Sequence, residues 1–150
     1  MPLHRIYSVK GVFSADDKKA IAEGITNVYS AIPLPKFYVV VLFIDTDLDS
    51  FFIGGKPNDR FVRIVTGHIA RTNIGAEKER MVLEALQAAY HPYVRDRGLD
   101  WEIHIEEHER EVWRENGLAP PMPGTDAEKY WIEVDKAVPY TKGEDARQYT

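Results

Sequence analysis

Apolar and polar positions divide the chain into segments of two different periods. LHRIYSV at 3–9 reads as a first strand, headed by Pro2. SADD at Ser14–Asp17 has the Ser-x-x-Asp form of a capping box, and Ile21, Ile25, Val28 and Ile32 follow at helical spacing. A helix is therefore expected to run to about Ile32, where Pro33 and Pro35 stop it. FYVVVLFI at 37–44 is an unbroken β-branched and aromatic run, the pattern of a strand buried on both faces by parallel pairing. FFIGG at 51–55 reads as a short strand, KPND as a reversal, and RFVRIVTGHI at 60–69 as another long strand. A second helix is expected over 76–97, with Met81, Val82, Ala85, Leu86, Ala89 and Val94 inward and Gly98 as its stop. WEIHIEE at 101–107 alternates as a final core strand. The tail, 108–150, holds Pro120, Pro121, Pro123 and Pro139, with two short helices expected and a capping signal at Thr125 and Glu128.

Strand, helix and strand over 3–44 recur over 60–107. Each crossover joins parallel strands with a right hand. The fold expected is α+β: a duplicated β-α-β, a four-stranded mixed sheet with two helices on one face, and a C-terminal tail with short helices. Residues 1–150 read as a single domain of that kind. Element order alone equally fits the ferredoxin-like arrangement, in which the crossovers skip a strand. In the duplicated fold, the second apolar face of Tyr38–Ile44 lies beyond the reach of the chain's own helices. A neighbouring subunit or the proline-rich tail must cover it.

Composition narrows the function classes. Hydrophobic residues make up 44% and charged residues 29% of the 150, ordinary values for a globular protein. The net charge is −5 with no block of like charges, which argues against a nucleic-acid partner. There is no cysteine, so disulfides, thiolate catalysis and Cys-ligated metals are excluded. No apolar run reaches membrane-spanning length and no signal-peptide pattern appears, so no membrane partner and a cytoplasmic location are expected.

Chemistry begins at Pro2. A proline at the head of a strand is structurally ordinary, because its missing N–H costs nothing there. If Met1 is removed, however, Pro2 carries a secondary amine, and a buried amine with a lowered pKa acts as a base. HIEEH at 104–108 matches the inverted zinc-protease pattern, but on a strand its histidines lie too far apart to chelate, and no metal is expected. Gly54-Gly55 reads as a bend, His68 as a core histidine, and Trp113 and Trp131 as packing anchors.

PLHRIYSV, AIAEGITNVYSAIPLPKFYVVVLF, FFIGG, VRIVTGHIAR, WEIHIEE and ENGLAPPMPG, in that order and spacing, resemble the tautomerase superfamily. The closer likeness is to its cis-3-chloroacrylic acid dehalogenase-like branch, and it runs from Pro2 to about Gly124. That resemblance implies catalysis by the N-terminal proline, here Pro2, as base toward an enol or as acid in adding water. It implies a substrate carboxylate held by Arg71, no cofactor, and a homotrimer. The dehalogenase's second arginine is Ile74 in this chain, and its histidine late in the first helix is Tyr29. Its water-activating tyrosine and glutamate fall on His104 and Glu115. A lost arginine removes charge-assisted bonds of about 1.5–3 kcal/mol each, which disfavours hydrolytic dehalogenation. Keto–enol tautomerisation of a small 2-oxo acid asks only for a base, one cation, and a donor such as Tyr29 or His104. The alternatives are haloacrylate dehalogenase or hydratase activity, or a noncatalytic member of the fold. Sedimentation at micromolar concentration is expected to show an oligomer, and a monomer alone would contradict that reading.

Overall fold

Two β-α-β units share one sheet in the computed structural model, which describes residues 1–71 and 75–140. The first unit is strand β1 (Leu3–Val9), helix α1 (Ala15–Ser30) and strand β2 (Val40–Thr46). A small hairpin of β3 (Phe52–Ile53) and β4 (Lys56–Pro57) leads into the second unit. That unit comprises β5 (Phe61–His68), helix α2 (Ala76–Tyr90) and β6 (Asp100–Glu107), and helix α3 (Asp126–Val134) lies in the tail. The sheet order is β2-β1-β5-β6. Pairing is parallel within each unit and antiparallel where β1 meets β5. Each crossover joins neighbouring strands, which rules out the ferredoxin-like order. No helix of the described residues is long and apolar enough to cross a membrane.

Local chemistry explains the helices. Ser14 Oγ accepts the Asp17 N–H at 3.1 Å while Asp17 Oδ2 accepts the Ser14 N–H at 2.9 Å, which is the capping box expected from SADD. The buried stripe of α1 is Ile21, Ile25 and Tyr29. Ile32 lies beyond the helix end and is 39% exposed, contrary to its assignment as an inward residue. Helix α2 ends at Tyr90, short of the expected limit at 97, because Pro92 offers no N–H to continue the ladder. A 3-10 turn at Arg95–Arg97 then ends on Gly98 at φ 66°, the left-handed stop foreseen there. Leu86, Tyr90 and Val94 are buried, whereas Met81 is 62% exposed rather than inward.

Register sorts the sheet into two faces. His4, Ile6 and Ser8 of β1 and Val62, Ile64, Thr66 and His68 of β5 are all buried on the helix-bearing side. The opposite side carries Arg5, Leu42, Arg63 and His104, with ion pairs from Arg5 to Glu106 at 2.8 Å and from Arg63 to Glu102 at 2.7 Å. The strand expected at 37–44 needs correction. It starts only at Val40, forms an edge of the sheet, and has no fully buried residue; Leu42 is 47% exposed. Lys36–Tyr38 instead form a 3-10 turn that sends Tyr38 inward, its ring 4.8 Å from Trp113 and 6.3 Å from Trp131. The apolar run thus serves two elements, which a single strand period cannot reveal. β6 is likewise an edge strand rather than a core one. The reversal expected at KPND falls on Gly54 and Gly55, at φ 57° and 80°, the left-handed pair that tightens a two-residue hairpin.

The described tail holds the two short helices expected of it, a 3-10 helix at Arg110–Val112 and the α-helix α3. It docks on the Tyr38 turn. Trp131 Nε1 donates to the Val138 carbonyl at 2.7 Å, and Asp135 Oδ1 accepts the Phe37 N–H at 2.9 Å. Trp131 is fully buried. Trp131→Ala is expected to lower the free energy of unfolding by about 3–5 kcal/mol in urea titration, and a loss below about 1 kcal/mol would contradict this anchoring role.

Candidate active site

Antiparallel pairing of β1 and β5 sets Leu3 opposite Gly67, so the start of one strand meets the end of the other. Pro2 therefore lies in the neighbourhood of His68. The Val40 N–H donates to the Pro2 carbonyl at 2.9 Å and pins the residue in place. A cavity of about 260 Å³ opens beside it. Pro2, Tyr29, His68 and Arg71 line one part, and Val28, Ile32, Leu34 and Val82 belong to an apolar wall. Tyr29 comes from the last turn of α1, His68 from the end of β5, and Arg71 from the loop that follows.

The amine at the chain start sits in an environment hostile to positive charge. The Met1 amine is pushed down to about 4, first by burial, then by the Arg110 guanidinium; Glu115 opposes the shift and Arg71 adds to it. Arg110 donates to the Ala70 carbonyl at 2.8 Å, to Pro120 O at 3.0 Å and to Pro121 O, and its guanidinium lies 5.4 Å from the Trp113 ring centroid. Glu115, half-buried, accepts from Trp113 Nε1 at 3.1 Å. Arg71 donates from Nη2 to Glu128 Oε1 at 2.7 Å and to the Pro33 carbonyl at 3.0 Å. Glu128 is 1% exposed, and its second oxygen accepts the Gly124 N–H at 2.8 Å. Thr125 caps α3 as expected, accepting the Glu128 N–H at 3.3 Å, but the Glu128 carboxylate turns to Arg71 instead of completing a box. Removing one member of such a buried pair strands the other charge, at a cost of about 3–5 kcal/mol.

Beneath the cavity lies a run of buried polar rings. Tyr29 Oη is 2.7 Å from His68 Nε2 and 3.0 Å from His4 Nε2. His4 Nδ1 is 2.9 Å from Tyr90 Oη and 3.1 Å from Thr66 Oγ1. Burial holds both histidines neutral: His4 is lowered to about 3, with His68 contributing, and His68 to about 4, with the terminal amine contributing. Burial also raises the Tyr29 and Tyr90 hydroxyls above the ordinary tyrosine range.

Pro2, Tyr29 and Arg71 are thus gathered around one cavity, and the Glu115 charge acts on the Met1 amine. His104 is not gathered with them. Alternation along β6 puts it on the face opposite the helices, 41% exposed and 3.5 Å from Glu106 Oε1. Ile74 lies outside the described residues. Sequence reasoning missed five groups: His4, Tyr38, His68, Arg110 and Glu128. His4 carried a readable signal, a polar residue in phase with Ile6 and Ser8 on the buried side of a strand. His68 was read as a core residue, and it does join a buried network, but it also reaches the cavity wall. Arg110 and Glu128 sit in an aperiodic tail that gives no such phase. Tyr38 is fully buried, and its hydroxyl has no hydrogen-bond partner among the described residues. Among those residues, no group of three or more His, Asp and Glu side chains is placed to hold a metal ion.

Residues 1–136 match the family described as "Putative oxalocrotonate tautomerase enzyme". The crystal structure of native RhCC from Rhodococcus jostii RHA1 is 40% identical, covering 92% of this chain and 99% of that one, with a TM-score of 0.88. A probable enzyme from the thermophilic fungus Aspergillus fumigatus is 34% identical over 93% of this chain and 98% of its own, with a TM-score of 0.89. N1, a member of the cis-3-chloroacrylic acid dehalogenase family, shares the fold at 23% identity, 88% and 91% coverage, and a TM-score of 0.69. No curated protein matches the chain.

The two depressed histidines make stability depend on pH. In the unfolded chain each titrates near 6.5, while the folded forms stay neutral down to about 3 and about 4. Between those limits the unfolded state binds more protons, so their stabilisation is full above pH 6.5 and is lost as pH falls toward the folded values. Urea unfolding is expected to lose up to about 2.7 kcal/mol per pH unit near pH 5 from these two groups. Restoring a flat profile by His4→Gln with His68→Gln would confirm their part, and a wild-type profile already flat from pH 7 to 4 would overturn it.

Proposed function

The chain belongs to this tautomerase family, and on that premise we propose that it moves a proton between carbon and oxygen in small 2-oxo acids or their enols. Removal of Met1 turns the Pro2 nitrogen from an amide into a secondary amine beside the cavity. The observation that carries the reading is that Pro2, Tyr29, His68 and Arg71 line one cavity, where burial and then Arg110 push the terminal amine, at Met1, down to about 4. An amine lowered in this way is uncharged at neutral pH and takes a proton from carbon, then returns it. Arg71 receives the substrate carboxylate, in competition with Glu128, and Arg110 adds a second positive field. Tyr29 donates to the oxygen on which charge develops.

His104 joins this chemistry only from a neighbouring protomer, across the sheet face on which Leu42 is 47% exposed among the described residues. That face and the family resemblance support a homotrimer. No cofactor is needed for the steps named. A second reading rests on Glu115. A carboxylate in the field of the amine supports activation of water, and so hydration or dehalogenation of a cis-3-haloacrylate as a side activity. Retained Met1 would leave Pro2 without basicity and favour a noncatalytic role.

Intact mass of the native protein is expected to lack the methionine. Ketonisation of an arylpyruvate enol, followed by ultraviolet absorbance, should fall about 10²-fold or more in Pro2→Ala. Arg71→Ala combined with Glu128→Gln, which avoids stranding a buried carboxylate, should raise KM strongly. The acid limb of kcat/KM should lie below the 7.7–8.0 of an ordinary α-amine. Unchanged rates in both variants, or an acid limb at pH 8 or above, would refute the assignment.

A further inference from the structure

We propose that Glu107 and His4 are positioning residues that hold the Tyr29 hydroxyl proton on the cavity side, acting from opposite ends of one run of polar contacts. Glu107 Oε1 lies 3.6 Å from His68 Nδ1, and His68 Nε2 lies 2.7 Å from Tyr29 Oη. Beyond Tyr29 come His4 Nε2 at 3.0 Å and, on the far side of the His4 ring, Tyr90 Oη at 2.9 Å. A neutral imidazole has one N–H and one lone pair, and a tyrosine has one proton to give. With those limits, the protonation of one end fixes all the others.

At 3.6 Å the Glu107 carboxylate lies beyond hydrogen-bond distance, but its negative charge favours an N–H over a lone pair on the His68 nitrogen that faces it. His68 Nε2 is then a lone pair, and the 2.7 Å contact requires Tyr29 to donate to it. Tyr29 has no second hydrogen. Its contact with His4 therefore requires His4 Nε2–H as donor. His4 Nδ1 is left with its lone pair and accepts from the Tyr90 hydroxyl, with the Thr66 hydroxyl 3.1 Å away as the alternative donor. The reverse order fails at its outer end, where a lone pair of His68 would face the carboxylate.

The deep and outer members have different access. His4 is 0% and Tyr90 1% exposed, beyond reach of any substrate, whereas Tyr29 and His68 line the cavity. His4 donates permanently into the Tyr29 oxygen, so the Tyr29 proton has only the cavity side to occupy. A substrate oxygen that displaces His68 Nε2 meets a donor already aimed. Donation from His4 also polarises Tyr29 O–H and strengthens it as a donor. The kinetic consequence rests on the tautomerase reading above; the proton order does not.

The test is long-range ¹H–¹⁵N correlation NMR of the labelled full chain at pH 7, which distinguishes the two imidazole tautomers. His68 is expected as the Nδ1–H form and His4 as the Nε2–H form. The opposite tautomer in either ring overturns the proposal. Glu107→Gln, at a partly exposed strand end, should shift His68 away from Nδ1–H and lower kcat about 10–100-fold with KM little changed. Glu107→Asp should restore both. An unaltered His68 tautomer in Glu107→Gln removes Glu107 from the proposal and sinks it. Correct tautomers in a protein that turns over no enol would instead refute the tautomerase reading and leave the proton order standing.

Discussion

The antiparallel contact between β1 and β5 is the constraint on which the rest depends. Within each β-α-β unit the strands run parallel, so each unit alone keeps its strand starts apart from its strand ends. Opposing the two units reverses that. The start of β1 comes beside the end of β5, with Leu3 paired to Gly67, and a terminal amine meets an imidazole and a guanidinium. A parallel joint at the same place would have put Pro2 at the opposite end from His68 and Arg71. The same register aligns His4 with Thr66, which seats a histidine in the middle of the sheet under both helices.

Burying so many polar groups is tolerable only because each finds a partner or stays neutral. An unpaired amide or hydroxyl inside a protein costs about 1–3 kcal/mol, and an uncompensated charge considerably more. The molecule uses both remedies in adjacent places. Its two inner histidines are uncharged, His4 hydrogen-bonded at both ring nitrogens and His68 at Nε2. The buried carboxylate of Glu128 is instead ionised against Arg71 and braced by the Gly124 N–H. Among the described residues the Ser8 and Tyr38 hydroxyls are buried without a hydrogen-bond partner, and both stay neutral. Burial raises the Tyr38 hydroxyl above the ordinary tyrosine range, and the Arg110 guanidinium opposes that shift.

The architecture was legible because its signals are local and repeated. SADD, the Ile21–Ile25 spacing, Gly98 and the twice-occurring strand–helix–strand order each encode one turn of backbone at a time. Errors gathered where one stretch serves two purposes. FYVVVLF reads as one strand but supplies a core anchor at Tyr38 and an edge strand from Val40. The helix ending at Tyr90 was overrun because the apolar pattern continues to Val94 through a different turn. For the site, resemblance supplied Pro2, Tyr29 and Arg71, which the cavity gathers. His104 was correctly phased on its strand and for that reason points away from them. The partners of those residues were illegible, since Glu128 meets Arg71 across 57 positions of sequence and no periodicity spans that distance.

The Arg71–Glu128 contact makes the tail part of the cavity rather than an appendage. Its carboxylate already occupies the cation to which an incoming anion must bind, so the guest exchanges one anionic partner for a share of another. A chain cut short before α3 would lose that balance, gaining one net positive charge at the cavity edge while losing the Trp131 anchor that seats the segment. Shortening this chain downstream of Pro123 would thus reset the cavity's appetite for anions without altering a single residue of the sheet.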